Sequence, residues 1–476
     1  MDIKQLLSEL SQTDKVVISD SHATLTGKQL AQNIQVLSKR MYEIGIKDKR
    51  ICLLRMTNRI DSVTTLLAAL LNHSVVFVAN PHDPIRRVCN ILEKFSVYAL
   101  LTDRATSVTI QKRVSDQHLS LHHLLDDNEF YAGLLQSNDQ PISDIDCEMQ
   151  DADIAIFSSG STGEPKAILH KIENLLLNAQ LHIQSIDLAE EDRVGITLPL
   201  YYSYGLVANL FSGLIAKSTI YLNSQIGSID SEWIKQHKIS VLSITPFIAK
   251  KLDHFHPSLK KITVGGDILY SKDAGKLLDL YPNSSIYSTY GLTEAGPRVS
   301  THKIDQFLLN QSFIVSLGSP LDGVTLSLQN NETHGELLVN TPTPMLGYFY
   351  GKGTQFIPQK GSLIQTGDLY DKRQGEFYFV GREKKIIFQG GEKVFPLMVE
   401  NAIHSIEGVS DVLVSSSQDQ EKGEIAKAYI VINNNLTLQE IKKKLKQQLS
   451  RSLIPEQFEL VDYIPRSLTG KVQARV

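Results

Sequence analysis

The sequence predicts an α/β fold, with a large N-terminal domain followed by a small C-terminal α+β domain. In the first half, short β-branched strands alternate with longer amphipathic stretches, a rhythm typical of largely parallel sheets covered by helices. After about residue 312, closely spaced short strands separated by Gly and Pro indicate hairpin-rich β structure. From about residue 383, the chain has strands and a helix of its own. The pattern therefore predicts one domain over residues 1–382 and a second over residues 383–476.

Each strand predicted in the first half follows a helical pattern. The most apolar stretch, Leu66–Ala79, divides into a helix over Leu66–Leu71 and a strand over Val75–Val78, because polar residues interrupt it between them. It is too short to cross a bilayer, so we expect no membrane span. The other strands of this region are expected at Arg50–Leu54, Tyr98–Leu101, Ile154–Phe157, Arg193–Leu198, Ser218–Leu222, Val241–Ile244 and Lys261–Val264.

The C-terminal part carries two predicted strands and one well-delimited helix. Thr437 followed by Glu440 is a capping box, which predicts that a helix begins there. The lysines that follow in this helix indicate either a solvated surface or a docking surface for an acidic partner. Strands are expected after residue 312 at Val324–Leu328, Gly335–Val339 and Gly375–Val380, and in the C-terminal part at Val409–Ser415 and Ala426–Ile432.

Composition describes an ordinary globular protein. Apolar residues make up 42% of the chain and charged residues 21%, and the net charge is −4. Such a charge gives no reason to expect a nucleic-acid partner, because binding to phosphates needs a positive surplus. The cysteines Cys52, Cys89 and Cys147 match neither a disulfide framework nor a metal-ligand pattern. With no signal-peptide pattern in the first 20 residues, we expect a cytoplasmic protein.

The first segment that indicates chemistry follows the predicted strand Ile154–Phe157. Glycines let backbone N–H groups approach phosphate oxygens, hydroxyls donate hydrogen bonds, and a lysine neutralises charge. A loop of this composition is also common as a plain turn, and the Gly-Lys-Ser/Thr ending of kinase-type loops is absent. The candidate phosphate-binding residues are Ser158, Ser159, Gly160, Ser161, Thr162, Gly163 and Lys166.

The order of residues in this loop resembles the phosphate-binding signature of the adenylate-forming superfamily. That superfamily comprises acyl-CoA ligases, luciferases and the adenylation domains of peptide synthetases. The resemblance spans essentially the whole chain, and it implies α/β sheet subdomains, a small β-barrel-like subdomain and a mobile C-terminal domain. Further segments that resemble the family, in its order, are Gly265-Gly266-Asp267, Tyr290-Gly291-Leu292-Thr293-Glu294, Thr366-Gly367-Asp368, Gly381-Arg382, Gly390-Gly391-Glu392 and Leu468-Thr469-Gly470-Lys471.

The resemblance implies an ATP-dependent ligase. It joins a small carboxylic acid to AMP with release of pyrophosphate, and it then transfers the acyl group to the thiol of coenzyme A or of a phosphopantetheinyl carrier protein. By the same resemblance Tyr290 stacks on adenine, and Glu294 is a ligand of Mg²⁺, a metal that prefers oxygen ligands. The other residues implied in nucleotide binding are Gly265, Gly266, Asp267, Gly291, Thr293, Asp368 and Arg382, the last two at the ribose.

Lys471 is the central catalytic residue that the resemblance implies, with Glu294 and Thr162. Adenylation brings the acid's carboxylate against the α-phosphate of ATP, and a lysine that reaches both anions offsets their repulsion. Judged by position alone, a lysine so near the end of the chain is typical of a disordered terminus. Lys384 resembles the family's hinge, about which the C-terminal domain rotates between adenylation and thioester formation.

The acid pocket is expected around Tyr202, Phe247 and Ala295. Tyr202 stands where acyl-CoA ligases usually have histidine, so either an aromatic gate is kept or the pocket is reshaped. The segment Pro199–Gly205 contains no aspartate to pair with an α-ammonium, and a buried ammonium without a counter-charge is unfavourable. An aliphatic or aromatic acid is therefore expected, in preference to an α-amino acid.

Three alternatives remain open at the level of sequence. The chain can be a stand-alone enzyme that loads only a carrier protein, because contacts to the nucleotide end of coenzyme A lie on variable surface. It can be a non-catalytic nucleotide-binding relative, although the presence of Glu294, Asp368 and Lys471 together argues against decay. A phosphotransferase is disfavoured by the missing Walker-type ending of the loop.

Overall fold

We analysed a computed structural model of the chain. It describes residues 1–113, 119–125, 130–135, 140–157, 165–309, 312–331, 333–351, 353, 356–433, 436–467, 470 and 472. The fold is mixed α/β, with two large sheets, a smaller antiparallel sheet and a small C-terminal α+β part. The α/β class predicted from the alternating pattern is thus confirmed.

The helices are α1 Ile3–Leu10, α2 Gly27–Glu43, α3 Ile60–Leu71, α4 Ile85–Lys94, α5 Arg104–Arg113, α6 Ile142–Ile145, α7 Ile172–Ile186, α8 Ser203–Gly205, α9 Ser212–Ile215, α10 Ser231–Gln236, α11 Pro246–Ala249, α12 Ser271–Leu280, α13 Gln306–Leu309, α14 Pro396–His404 and α15 Leu438–Gln448. The strands up to residue 303 are β1 Val16–Ser19, β2 Thr24–Thr26, β3 Ile51–Arg55, β4 Val75–Ala79, β5 Ala99–Asp103, β6 Leu119–Leu125, β7 Phe130–Leu135, β8 Ile154–Phe157, β9 Ala167–His170, β10 Arg193–Ile196, β11 Thr219–Leu222, β12 Val241–Ile244, β13 Lys261–Gly265, β14 Ser285–Gly291 and β15 Arg298–Lys303. The remaining strands are β16 Ser319–Pro320, β17 Thr325–Leu328, β18 His334–Asn340, β19 Gly347–Phe349, β20 Ile357–Pro358, β21 Leu363–Arg373, β22 Glu376–Arg382, β23 Ile387–Gln389, β24 Glu392–Val394, β25 Val409–Asp419, β26 Gly423–Ile432 and β27 Gln457–Leu460.

Two nine-stranded sheets form the body of the molecule, with strand orders β20-β19-β9-β8-β4-β3-β5-β7-β6 and β16-β15-β14-β13-β12-β10-β11-β1-β2. Their central strands pair in parallel and their edges are antiparallel. The largest hydrophobic cluster joins α2, α3 and α7 to strands of both sheets, so these helices are packed between them. The predicted barrel-like subdomain takes the form of a four-stranded antiparallel sheet, β17-β18-β21-β22.

Helix α3 begins earlier than the apolar run predicts. The sequence indicated a helix over Leu66–Leu71, whereas the structure places its first residue at Ile60. Thr64 and Thr65 lie in the added turn, and their hydroxyls donate to the backbone carbonyls four residues earlier at 2.8 and 2.7 Å. Because these hydroxyls find partners inside the helix, polar residues are buried where the pattern indicated a boundary.

The carboxyl ends of the central parallel strands of the second sheet lie along one edge. Strand β13 ends at Gly265 and β14 at Gly291, and the segment Thr245–Phe247 directly follows β12. In α/β sheets, ligands bind outside this edge, because the loops that leave neighbouring strands converge there. The fold therefore brings several separately predicted segments to one place.

The C-terminal part has its own hydrophobic cluster, which packs α14 and α15 against β25 and β26. The predicted capping box is present at the start of α15: Glu440 N–H donates to Thr437 Oγ1 at 3.3 Å, and Thr437 N–H donates to Glu440 Oε2 at 2.9 Å. The helix buries Ile441 and Leu445, and its lysines at 442, 443, 444 and 446 are exposed. The solvated-surface interpretation fits this placement, and the docking interpretation stays a prediction.

Glu400, on α14, lies where the C-terminal part packs against the second sheet. Its carboxylate accepts a hydrogen bond from Val414 N–H at 2.8 Å. Burial raises the pKa of Glu400 to about 7, against the lowering effects of the Val414 bond and then of Lys385. Asp267 raises this pKa further, and Arg466 lowers it. A carboxyl group in this setting prefers to be protonated in the folded protein.

Replacing Glu400 with glutamine should remove a pH-dependent loss of stability. Between the ordinary glutamate pKa and about 7, the folded protein holds a proton that the unfolded chain has released, so the free energy of unfolding falls as pH rises. We expect Glu400→Gln to gain about 2 kcal/mol over the wild type between pH 5 and pH 8, less than the full shift because water reaches part of the side chain. Urea unfolding at both pH values measures this. An unchanged difference between the two proteins would contradict it.

Candidate active site

Tyr290, Asp368 and Arg382, which the sequence predicted at the nucleotide, lie in direct contact. Tyr290 near the end of β14 donates its hydroxyl to Asp368 Oδ2 at 2.7 Å, and Arg382 Nε lies 2.8 Å from Asp368 Oδ1. Asp368 is opposite Arg382 in the β21–β22 pair, and it is only 4% exposed. Burial raises the pKa of Asp368, while Arg382 and the Tyr290 hydroxyl lower it. Burial also raises the pKa of Tyr290, which keeps its hydroxyl a donor.

A second cluster joins Glu294 and Lys166. Glu294 Oε1 accepts a hydrogen bond from the Tyr348 hydroxyl at 3.0 Å, and the Lys166 ammonium lies 3.6 Å from the centre of the Tyr348 ring. Burial lowers the pKa of Lys166, the nearby Glu294 charge raises it, and Lys384 lowers it. The predicted hinge residue Lys384 is thus close enough to act electrostatically on Lys166. The cluster combines one carboxylate, one ammonium and a phenol.

Sequence reasoning missed Tyr348. It lies on β19, which pairs with β9, the strand that begins directly after Lys166. The sequence around it, Gly347-Tyr348-Phe349-Tyr350, shows only an alternation of aromatic residues typical of a strand. Because Tyr348 is far from Lys166 and Glu294 along the chain, only the pairing of β19 with β9 reveals its role.

The loop between β13 and α12 requires glycine. A methyl group added to Gly265 would collide with Thr289 Oγ1 and lie 3.2 Å from Tyr204 Cε1. Gly266 follows with φ +88°, in the left-handed region that favours glycine. Asp267 is exposed, and its carboxylate accepts from Ile268 N–H at 2.9 Å. The loop thus runs close to β14, with its exposed residues at the sheet edge.

The three residues predicted for the acid pocket belong to different hydrophobic clusters. Tyr202 precedes α8 and packs with its neighbour Tyr201, the ring centres 4.7 Å apart. Phe247 packs with the core around β12 and β13. Ala295 is fully buried with residues of the small antiparallel sheet. They surround the same sheet edge from three sides.

The end of the chain reaches this edge near Phe247. A methyl group on Gly470 would collide with Phe247 Cβ, and Gly470 O accepts a hydrogen bond from Arg466 Nη1 at 3.1 Å. Arg466 is itself held by Asp411, with Nη2 lying 2.8 Å from Oδ1. The residue that precedes Lys471 is therefore fixed beside the predicted acid pocket.

Several predicted residues cannot be placed. They lie outside the described residues, and their assignments stay predictions: Ser158, Ser159, Gly160, Ser161, Thr162, Gly163 and Lys471. Gly291 and Thr293 are placed on either side of Leu292, with the Thr293 hydroxyl 2.9 Å from Ser203 Oγ. The edge therefore holds every predicted nucleotide residue that the structure describes.

Within the described residues, no group of three or more His, Cys, Asp and Glu side chains is arranged to hold a metal. A lone carboxylate such as Glu294 fits Mg²⁺ that is bound mainly through substrate phosphates, since this ion keeps few protein ligands. None of the helices in the described part of the chain has the length and apolar character that crossing a membrane requires.

Comparisons with known proteins agree with this geometry. The model of the AMP-binding enzyme family matches residues 9–349, and that of the AMP-binding enzyme C-terminal domain matches residues 398–471. A 2-succinylbenzoate–CoA ligase of Bacillus licheniformis is 25% identical over 98% of this chain and 96% of its own length.

Two solved structures share the fold. The o-succinylbenzoate CoA synthetase of Bacillus subtilis, in complex with its acyl-adenylate intermediate, superposes with a TM-score of 0.77 and 20% identity, over 98% of this chain and 96% of its own. The anthranilate CoA ligase AuaEII, in complex with anthranoyl-AMP, gives a TM-score of 0.80 and 18% identity, over 99% and 95%. The chain belongs to the AMP-binding enzyme family, as an ATP-dependent ligase that forms an acyl-adenylate and passes the acyl group to a thiol.

Proposed function

We propose that the thiol acceptor is coenzyme A, that the acid lacks an α-ammonium group, and that the residues gathered at the sheet edge carry out the activation. The observation that supports this best is the meeting of the Tyr290–Asp368–Arg382 cluster with the Glu294–Tyr348–Lys166 cluster at that edge. One cluster offers a flat ring and a carboxylate, and the other offers charge of both signs.

The first cluster binds the nucleoside. The Tyr290 ring stacks on adenine, and Asp368 accepts hydrogen bonds from the ribose hydroxyls, since a buried carboxylate is a strong acceptor. Arg382 already pairs with Asp368 and donates to the same sugar. Gly265, Gly266 and Asp267 carry the adenine from the neighbouring strand end, where the backbone can approach closely.

The second cluster binds the phosphates. Lys166 neutralises phosphate charge, and Glu294 holds Mg²⁺, which when bound offsets the negative charge of the phosphate oxygens. Tyr348 fixes the Glu294 carboxylate through its hydrogen bond. Lys471 bridges the α-phosphate and the acid's carboxylate, and Thr162 with its loop neighbours cradles the leaving pyrophosphate.

The acid enters from the side of Tyr202, Phe247 and Ala295. The segment Pro199–Gly205 carries no carboxylate to pair with an α-ammonium, so aliphatic and aromatic acids fit better than α-amino acids. Coenzyme A as the acceptor is supported by the relatives, whose names describe CoA ligases. A carrier protein remains the acceptor to test against it.

A pyrophosphate-release screen tests the activity. The purified protein, ATP and Mg²⁺ are combined with a panel of aliphatic, aromatic and α-amino acids, and the active acids are then offered free coenzyme A. We expect pyrophosphate and AMP with a non-amino acid, followed by an acyl-CoA thioester. Release of ADP would indicate a phosphotransferase, exchange only with α-amino acids would overturn the acid class, and adenylate without acyl-CoA would favour a carrier protein.

Glu294→Gln should weaken the metal dependence of adenylation. Glutamine keeps the hydrogen bond from Tyr348 but loses the charge that holds Mg²⁺, so we expect the rate at limiting Mg²⁺ to fall about 100-fold, roughly 3 kcal/mol, and to recover partly at high Mg²⁺. Titration of Mg²⁺ in pyrophosphate exchange measures this. The matched control is Glu173→Gln, at an exposed position in the first turn of α7. An unchanged Mg²⁺ requirement in Glu294→Gln would argue against the metal role.

We place the enzyme in the cytoplasm, where ATP and coenzyme A are available. The exposed thiol of Cys147 and the buried thiol of Cys52 fit a reducing compartment. Fractionation of cells that express the chain, with an antibody against it, tests this placement.

A further inference from the structure

Arg298, the first residue of β15, is a buried cation with incomplete partners. Its side chain is 3% exposed, and Nη1 donates to Thr289 Oγ1 at 2.6 Å. The guanidinium lies over the Tyr204 ring, 4.0 Å from its centre. Its Nε and Nη2 atoms have no hydrogen-bond partner among the described residues. All of its close contacts are therefore neutral.

No carboxylate in the described part of the chain pairs with Arg298. Its ionisable neighbour His182 is also buried, and burial together with the Arg298 charge holds the pKa of His182 well below its ordinary value. That imidazole is therefore neutral and cannot offset the charge of Arg298. A buried charge without a counter-ion is strongly unfavourable, so a protein that keeps one needs a negative group from elsewhere.

Arg298 lies on the acid side of the site. Successive residues of a strand face opposite sides, so Thr289, which Arg298 contacts, faces away from Tyr290 and its nucleotide cluster. Tyr204 comes two residues after Tyr202, and its ring also borders Gly265. Arg298 is thus enclosed by the segment after β10, the end of β13 and the end of β14.

The two unpartnered atoms lie on one edge of the guanidinium. Nε and Nη2 point their N–H groups in parallel, which matches the two oxygens of a carboxylate, whereas Nη1 is already used. A single neutral acceptor, such as a hydroxyl, would satisfy one atom and leave the charge. The geometry is therefore that of a carboxylate receptor.

We propose that Arg298 binds a second carboxylate, carried by the acid at the end away from the group that is adenylated. The inference rests on the proposed function and adds the substrate class, dicarboxylic acids, and the residue that selects it. The acid then has one carboxylate at the nucleotide and one paired with Arg298, with Tyr204 stacked on the guanidinium.

Matched acids test this inference. Pyrophosphate exchange is measured with pairs that differ by one carboxylate: 2-succinylbenzoate against 4-oxo-4-phenylbutanoate, octanedioate against octanoate, and benzene-1,3-dicarboxylate against benzoate. We expect at least one diacid to exceed its partner about 100-fold in kcat/KM. Arg298→Met should remove this advantage and change the rate with the monoacid less than threefold. Arg298→Lys, which keeps the charge without the paired donors, should retain part of it.

Thermal stability provides a second readout, independent of turnover. Without acid, Arg298→Met should melt at the same or a higher temperature than the wild type, because it removes an uncompensated buried charge. The preferred diacid should raise the Tm of the wild type and leave that of Arg298→Met unchanged. Arg373→Met, at an exposed arginine, is the matched control.

The outcomes separate the two proposals. If acids support exchange but no diacid is preferred, or if Arg298→Met loses both members of a pair equally, the carboxylate receptor is wrong and the proposed function stands. If no acid supports exchange, the proposed function fails. In that case a diacid-induced rise in Tm that depends on Arg298 still decides whether the receptor exists.

Discussion

Replacement of Lys471 with alanine should remove most of the adenylation activity and leave thioester formation largely intact. The acid's carboxylate and the α-phosphate repel each other, and charge builds on the phosphorus as they react. Loss of one well-placed cationic donor should lower the adenylation rate about 10²–10³-fold, roughly 3–4 kcal/mol of activation free energy. The placement of Gly470 beside Phe247 supports this, because it brings the end of the chain to the acid side of the site.

The two half-reactions are measured separately. Adenylation is followed by pyrophosphate exchange, and thioester formation by supplying a synthetic acyl-adenylate together with coenzyme A. Lys446→Ala, at an exposed lysine of α15 in the same part of the chain, is the matched control and should retain both activities. Equal loss of both half-reactions in Lys471→Ala would show that the lysine does more than assist adenylation.

Lys384→Pro should have the opposite effect, with a loss of thioester formation of about 100-fold, roughly 3 kcal/mol, and a smaller loss of adenylation. We propose that the first domain ends at residue 382 and that the second rotates about Lys384. Strand β22 ends at Arg382, and the single 3-10 turn Glu383–Lys385 connects it to β23 of the C-terminal part. Proline fixes φ near the value that such a turn has, so it favours the present arrangement and opposes rotation.

Lys384→Ala is the control that separates charge from backbone. It removes the electrostatic effect of Lys384 on Lys166 and keeps the freedom to rotate. We expect near-normal thioester formation from supplied acyl-adenylate in Lys384→Ala and a severe loss in Lys384→Pro, while both variants bind ATP. A second step that is as fast in Lys384→Pro as in the wild type would exclude the hinge at this residue.

Local sequence determined the secondary structure well where one kind of interaction dominates. Strands such as Val241–Ile244 and Ile154–Phe157 appear where they were predicted, because short apolar β-branched runs have few alternatives. The capping box at Thr437 and Glu440 is confirmed, because both hydrogen bonds form between residues three apart. The start of α3 was wrong, because Thr64 and Thr65 bond back into the helix and are buried against other elements.

The nucleotide side of the site was also readable in sequence. Tyr290, Asp368 and Arg382 each lie within a short segment that resembles the family, and the structure brings them into contact. The sequence contained no comparable signal for Tyr348 and Arg298. A tyrosine in a strand and an arginine after a proline are ordinary residues until their neighbours are known.

The sequence by itself determined the α/β class, the order of the elements and the reaction class, because these depend on periodicity and on short motifs. Only the tertiary structure decided that Tyr348 holds Glu294 and that Arg298 is buried with one edge of its guanidinium unpartnered. Both facts depend on strands distant in sequence lying side by side. Burial and the presence of a counter-charge are properties of that packing, and no local pattern of residues encodes them.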